Sequence, residues 1–156
     1  MTMRRIRKWL LILLVAFVLI QFIQPARNKS GQVLQTDITR MIAIPLEVKA
    51  ILEAACYDCH SNNTRYPWYA NIQPGGWWLA NHIKKGKKEL NFSEFGSYSR
   101  RRQISKLRSI ESSIKDRTMP LSSYTLLHPR ARLTSEEKAL IIAWTNKVKD
   151  SLSSNN

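Results

Sequence analysis

The sequence predicts an all-α domain behind an N-terminal hydrophobic helix, and three observations carry that expectation. Apolar residues recur at intervals of three and four through the later segments, the spacing of a helix face. No stretch shows the alternation of a strand, and no internal repeat is present. Proline, glycine and asparagine cluster between the periodic segments, as they do in connections between helices.

The elements follow in chain order. Residues 1–24 open with Arg4, Arg5, Arg7 and Lys8, followed by an apolar run from Trp9 to Ile23 broken only by Gln21. A cationic start ahead of an apolar run is the pattern of an export signal or signal-anchor. No small-x-small cleavage site follows, so a retained transmembrane segment is expected. The alternative is cleavage, leaving a soluble periplasmic domain. Residues 25–44 are polar and read as a linker. Residues 45–150 read as the domain and 151–156 as a frayed tail. Pro45 suits the first turn of a helix reaching about Ala55, with Glu47 near its positive end. Ser61 to Gly76 reads as a loop, with an unusual aromatic load in Tyr66, Trp68 and Tyr69; those rings either cover a bound group or pack onto the core.

A second helix is predicted from Trp77 to about Lys88, with Trp78, Leu79, His82 and Ile83 inward. Asn91 to Ser99 is turn-rich. A third helix over 100–115 repeats Ile104, Leu107, Ile110 and Ile114. Thr118 to Arg132 reads as irregular. The last helix is opened by the capping box of Thr134 and Glu137 and carries a stripe of Leu140, Ile141, Trp144 and Val148.

Chemistry concentrates in Cys56-Tyr57-Asp58-Cys59-His60. Two thiols at this spacing can each add across a vinyl group of haem, and the adjacent histidine can supply the proximal imidazole. A redox dithiol would sit after a strand in a βαβ unit, which is missing. A zinc site would need a second Cys or His pair. A structural disulfide explains neither the spacing nor the histidine. One covalently attached haem c, bound through Cys56 and Cys59, is therefore expected. Such attachment takes place outside the cytoplasm, in agreement with the leader.

The distal face of the iron separates electron transfer from ligand binding or catalysis. Met119 is the expected ligand: a soft thioether on a loop stiffened by Pro120. His82, and more remotely His128, are the alternatives, while Met41 falls in the linker. A backbone carbonyl near Pro74 is expected to accept the His60 ring N–H.

Charge bounds the partners. Of 25 Lys and Arg, setting aside the four leader cations leaves 21 against 11 acids, a net of +10. The excess lies in Lys84 to Arg117. It suits an acidic redox protein or anionic lipid, or is simply a solvated face. Export removes most of the case for nucleic acid.

From Pro45 to Lys147 the chain resembles the bacterial haem-binding domain family, a branch of single-haem c-type cytochromes. The residues that carry this are 56–62, Tyr66-Pro67-Trp68-Tyr69, Ala80-Asn81-His82, Leu90-Asn91-Phe92-Ser93-Glu94, Met119-Pro120, 123–129 and the Thr134-to-Trp144 helix. Phe95 stands where the family pattern has tryptophan. The resemblance implies a cytochrome c-like helical fold, thioether links at Cys56 and Cys59, axial ligation by His60 and, by position, distal ligation by Met119. The resulting expectation is a monohaem cytochrome anchored in a bacterial inner membrane with its haem domain in the periplasm. It would be an electron carrier rather than an enzyme. The rival expectations are a haem-based sensor of small ligands and a peroxidase-like enzyme with an open distal side.

Overall fold

The computed structural model describes residues 3–154. Eight α-helices run through it: α1 (Met3–Ile20), α2 (Ile38–Met41), α3 (Leu46–Ala55), α4 (Tyr57–His60), α5 (Gly75–Glu89), α6 (Arg100–Lys115), α7 (Ser122–Leu127) and α8 (Ser135–Ser154). Short 3₁₀ turns occupy Trp68–Asn71, Phe92–Ser97 and Pro129–Ala131. Among the described residues there is no strand, only an isolated bridge between Lys29 and Asn63. The all-helical expectation holds.

Three helices form the main wall. α8 packs along α6 and across α3, burying Ile141, Trp144 and Val148 against Leu52, Leu107 and Ile114. Each such side chain taken fully from water contributes about 1.5–3 kcal/mol. Glu111 on α6 holds Lys115 of its own helix at 2.6 Å and Lys149 of α8 at 2.5 Å, closing the seam between the two. The start of α8 is the expected reciprocal cap: Thr134 N–H donates to Glu137 Oε2 at 2.8 Å, and Glu137 N–H to Thr134 Oγ1 at 3.2 Å. Leu140, expected inward, is exposed on the far side of this helix. α8 also runs on through residues 151–154, where fraying was expected; residues 155–156 lie outside the described residues.

Two further stretches are more ordered than their composition suggests. Residues 118–132 contain α7 and a 3₁₀ turn rather than irregular chain, because Tyr124 and Ala131 are drawn into a small cluster with Ala55. Residues 25–44, read as a linker, lie along the domain. Thr64 N–H donates to the Asn28 carbonyl at 2.9 Å, Ser30 N–H to the Asn62 carbonyl at 3.0 Å and Gly96 N–H to the Thr36 carbonyl at 2.7 Å. Ile38 is completely buried in the main core beside Phe92 and Phe95.

No helix among the described residues is long and apolar enough to cross a membrane. α1 spends its first turns on Arg4, Arg5, Arg7 and Lys8, and its apolar part runs only from Trp9 to Ile20. At 1.5 Å per residue that covers about 18 Å of a hydrocarbon core about 30 Å thick. The transmembrane helix expected of residues 1–24 is therefore not seen as a full span. α1 nevertheless contributes nothing to the core, and its apolar side chains are exposed along its length.

Candidate functional site

The site is built around α4, whose four residues Tyr57–His60 carry most of the Cys56–His60 motif. Three elements hold it. α3 leads directly into it through Cys56, which caps both helices. α5 crosses it so closely that a Cβ on Gly86 would lie 2.7 Å from the Cys59 carbonyl oxygen and 3.2 Å from Cys59 Cβ. The 92–97 turn backs it from the third side: Phe92 stacks on Tyr57 with centroids 4.9 Å apart and meets the His60 ring edge-on at 6.3 Å.

The same turn also ties the chain leaving α4. Asn62 N–H donates to Ser93 Oγ at 3.1 Å, Asn91 Nδ2 donates to Asn62 Oδ1 at 2.9 Å, and Asn62 Nδ2 donates to Glu94 Oε1 at 3.2 Å.

His60 is oriented by one bond. Its Nδ1 lies 3.0 Å from the Leu90 carbonyl oxygen. The carbonyl comes from the end of α5 and not, as expected, from the loop near Pro74, because the α5–α4 crossing brings residue 90 over the imidazole. With Nδ1 engaged there, Nε2 is the nitrogen left to act as a ligand. Burial pushes the imidazole below its ordinary value, partly offset by the Leu90 and Gly86 carbonyls, which favours the neutral ring a metal ligand must be.

A cleft opens beside His60 in two adjoining halves of about 240 and 290 Å³. Both are lined by Ala55, His60, Glu89, Met119 and Pro120. Cys56 lines the first half and Cys59 the second. Leu90, Phe92, Ile110, Ile114 and Leu133 make the first half apolar, while Leu121 and Tyr124 border the other. Lys106 lines the first half and Lys85 the second. The four residues singled out by the sequence, Cys56, Cys59, His60 and Met119, thus meet on one cavity.

The alternatives fare differently. His82 lines the second half, with Nδ1 2.9 Å from the Trp78 carbonyl and its ring 4.3 Å from that indole. Its neighbour Trp78 is exposed rather than inward. His128 stacks on Tyr124 at 4.0 Å and lines neither half. Met41 sits against Gly96, away from the cleft. The loop aromatics do not line it either. Tyr66 accepts from Asn28 N–H at 2.6 Å, Tyr69 packs with Leu79 and Ile83, and Trp68 is 74% exposed.

Sequence reasoning passed over Asp58 and Tyr124. Asp58 is buried, accepts from Tyr124 Oη at 2.8 Å through Oδ2, and receives Arg65 N–H and Nε at 3.1 and 3.3 Å on Oδ1. This bond ties α7, which begins three residues after Met119, to the motif helix. The signal available was that Asp58 lies inside the motif and that Tyr124 lies in the 123–129 run on which the resemblance rests.

The thiol environment bears on the competing chemistries. Burial pushes Cys56 up to about 12 and Cys59 up to about 11, opposite to the lowered values of reactive dithiols. Among the described residues no three His, Cys, Asp or Glu side chains come together as a metal-ion site would require. An apolar cleft, one free imidazole nitrogen, one thioether and two neutral thiols on its lining fit a haem. With both halves taken together, the space falls in the range of roughly 300–1,000 Å³ usual for small-molecule and cofactor sites.

Comparison with known proteins agrees with that fit. The family described as "Haem-binding domain" matches residues 15–147. The chain is also similar to the cytochrome c peroxidase Ccp of Escherichia coli (strain K12), 33% identical over 99 residues. The alignment covers 61% of this chain but 21% of that protein, so the chain spans about a fifth of its length. No solved structure matches the chain.

Proposed function

We propose that this protein, which belongs to the haem-binding domain family, is an exported monohaem c-type cytochrome that passes single electrons. Cys56 and Cys59 form the thioether links, His60 is the proximal ligand and Met119 the distal one. The observation that carries the reading is the cleft, with His60 fixed by Leu90 and both thiols and Met119 on its lining. When bound there, the haem supplies one reversible electron. The chain's own part is to hold ligands still. The Leu90 carbonyl fixes the imidazole, and Thr118 and Met119 N–H both donate to the Ser113 carbonyl, at 3.0 and 3.3 Å, fixing the backbone that presents the thioether. A methionine opposite a histidine raises the potential of a c-type haem. The apolar part of the lining would favour the less charged state of the iron site.

The cationic start and apolar run of α1 support export, and that helix would attach the domain to the bacterial inner membrane by lying in lipid, with the haem domain in the periplasm. Lys85 and Lys106 line the cleft against the single acid Glu89, and with the other cations of Lys84 to Arg117 they would steer an acidic redox partner toward it.

Two measurements test the reading. Haem that stays with the polypeptide on a denaturing gel, and is lost in Cys56→Ala/Cys59→Ala, tests the covalent links. The weak long-wavelength band of a thioether bound to ferric haem should be present in the wild type and vanish in Met119→Ala. Absence of that band, with rapid carbon monoxide binding on reduction, would exclude Met119 as ligand. It would favour a second reading, a haem enzyme or sensor with an accessible distal side. That reading has one observation of its own: Met119 is 40% exposed. The similarity to a protein named as a peroxidase points the same way.

A further inference from the structure

The end of α1 is joined to the domain by a set of side-chain bonds that have no part in the haem cleft. Gln73, completely buried, accepts at its carbonyl from Gln21 Nε2 at 3.3 Å and donates its backbone N–H to Gln21 Oε1 at 2.8 Å. Its side-chain Nε2 donates to Gln24 Oε1 at 3.0 Å. Trp77 Nε1 donates to the Ile23 carbonyl at 2.8 Å, and the Asn71 carbonyl accepts from Gln24 Nε2 at 3.3 Å. The apolar helix therefore leaves the domain at one defined face, formed by residues 68–77.

That face carries apolar side chains beside the helix exit. Trp68 is 74% exposed, Ile72 and Trp77 are also exposed, and Phe22 and Ile23 project from the junction itself. Exposed tryptophans next to an apolar helix are the usual furniture of a membrane–water interface.

A separate cleft of about 430 Å³ begins with the next residues of the chain. Ala26, Arg27, Asn28 and Tyr66 form one side, and Ala80, Ile83, Lys84 and Lys87 of α5 the other. Three cations line it and no acid does. Arg27 lies over the Tyr66 ring at 4.3 Å, and Lys87 donates to Asn28 Oδ1 at 2.7 Å, so two of the three are held in place. The combination of apolar wall, hydroxyl and fixed cations matches a phosphate carried on a lipid.

We propose that this face is a bilayer-contact surface, with Trp68, Ile72 and Trp77 at headgroup level and the Arg27–Lys84–Lys87 cleft receiving the phosphate of an anionic phospholipid. The inference rests on the placement of α1 in lipid proposed above, and it adds that the haem domain lies against the membrane instead of standing off from it. α5 would then carry contact from Trp77 in its first turn to Lys84 and Lys87 in its last turns, while Lys85 and Gly86 between those two lysines line the haem cleft.

The test is photolabelling of the full-length holoprotein in vesicles of phosphatidylcholine and phosphatidylglycerol. The probe is a phosphatidylglycerol bearing its photoreactive group beside the headgroup, and labelled peptides are mapped by mass spectrometry. Label is expected on α1, on residues 66–77 and around residue 84, and not on α6. Lys84→Gln should lower label around residue 84 roughly fivefold, the effect of removing one cation near an anionic surface. Trp68→Ala should deplete label on residues 66–77. Both side chains are exposed, so folding is not at issue. Label on α1 with none above the α6 background on residues 66–88 would overturn the contact surface alone. No label even on α1 would overturn the placement of that helix as well.

Discussion

Gly86→Ala is the sharpest test of how the motif helix α4 is positioned. An added Cβ would stand 2.7 Å from the Cys59 carbonyl oxygen, 3.2 Å from Cys59 Cβ and 3.3 Å from its carbonyl carbon. None of these atoms is the tip of a flexible side chain, so α5 and α4 must separate. Overpacking of this kind costs about 1–3 kcal/mol. Alanine returns about 1 kcal/mol as the better helix former. The net loss is thus about 0–2 kcal/mol, or a fall in Tm of up to about 8 °C at roughly 2–4 °C per kcal/mol for a chain of this size.

Haem attachment should suffer more than stability. The Gly86 carbonyl accepts Leu90 N–H at 2.9 Å, and the Leu90 carbonyl in turn holds His60 Nδ1. Moving α5 off α4 therefore shifts Cys59 and the His60 tether in opposite directions. Haem per polypeptide, from haem-stained denaturing gels and pyridine haemochrome spectra, should drop in Gly86→Ala. It should be unchanged in Lys88→Ala, an exposed site on the same helix. Wild-type haem content together with wild-type Tm in Gly86→Ala would refute the crossing as the positioning element.

Three further outcomes are expected. Tyr124→Phe removes the donor 2.8 Å from a buried Asp58 oxygen and should cost about 1–3 kcal/mol in a denaturant melt, with weakening of the long-wavelength methionine band. Glu111 is held down to about 2 by hydrogen bonds from Lys115 and Lys149, against an ordinary 4.5. Because the folded value is the lower one, its stabilisation is present above the unfolded value and is lost as pH falls toward the folded one. The Tm difference between wild type and Glu111→Gln should therefore shrink from pH 4.5 down to pH 2. Thr134→Ala removes the α8 cap and should cost about 1 kcal/mol, read by thermal melting, without altering the haem spectrum.

What could be read from the sequence divides by how local its cause is. α6 and the α8 cap depend on spacings of three and four residues, and both stand where expected. Cys56 to His60 is a five-residue chemical pattern, so it too was visible. The failures are long-range. The His60 tether was sought near Pro74 and comes from Leu90, 30 residues from His60, because only the helix crossing decides which carbonyl arrives. The stretch 25–44 was read as a linker because its apolar residues, Val33, Leu34, Ile38, Met41, Ile42 and Ile44, are scattered among polar ones; that Ile38 is the one buried is decided by its packing with Phe92 and Phe95. The quoted patterns at 56–62 and 90–94 looked independent. In the fold they are two sides of one contact, joined through Asn62.

That contact bears on the choice between carrier and ligand binder. His60 is held by three devices, none of them made with Met119: the Leu90 carbonyl, the Phe92 ring and the Asn62 network. Met119 lies between two hydrogen-bonded tethers, the Ser113 carbonyl before it and the Tyr124–Asp58 bond after it. Under the proposed ligation an external ligand would compete with the Met119 thioether and leave His60 untouched, so loosening either tether should favour the ligand without releasing the haem. Tyr124→Phe and Met119→Ala should therefore both raise affinity for added imidazole, the second more strongly. If Tyr124→Phe leaves imidazole affinity unchanged while the band disappears in Met119→Ala, the thioether is held by the Ser113 side alone, and Asp58 serves the motif helix rather than the distal ligand.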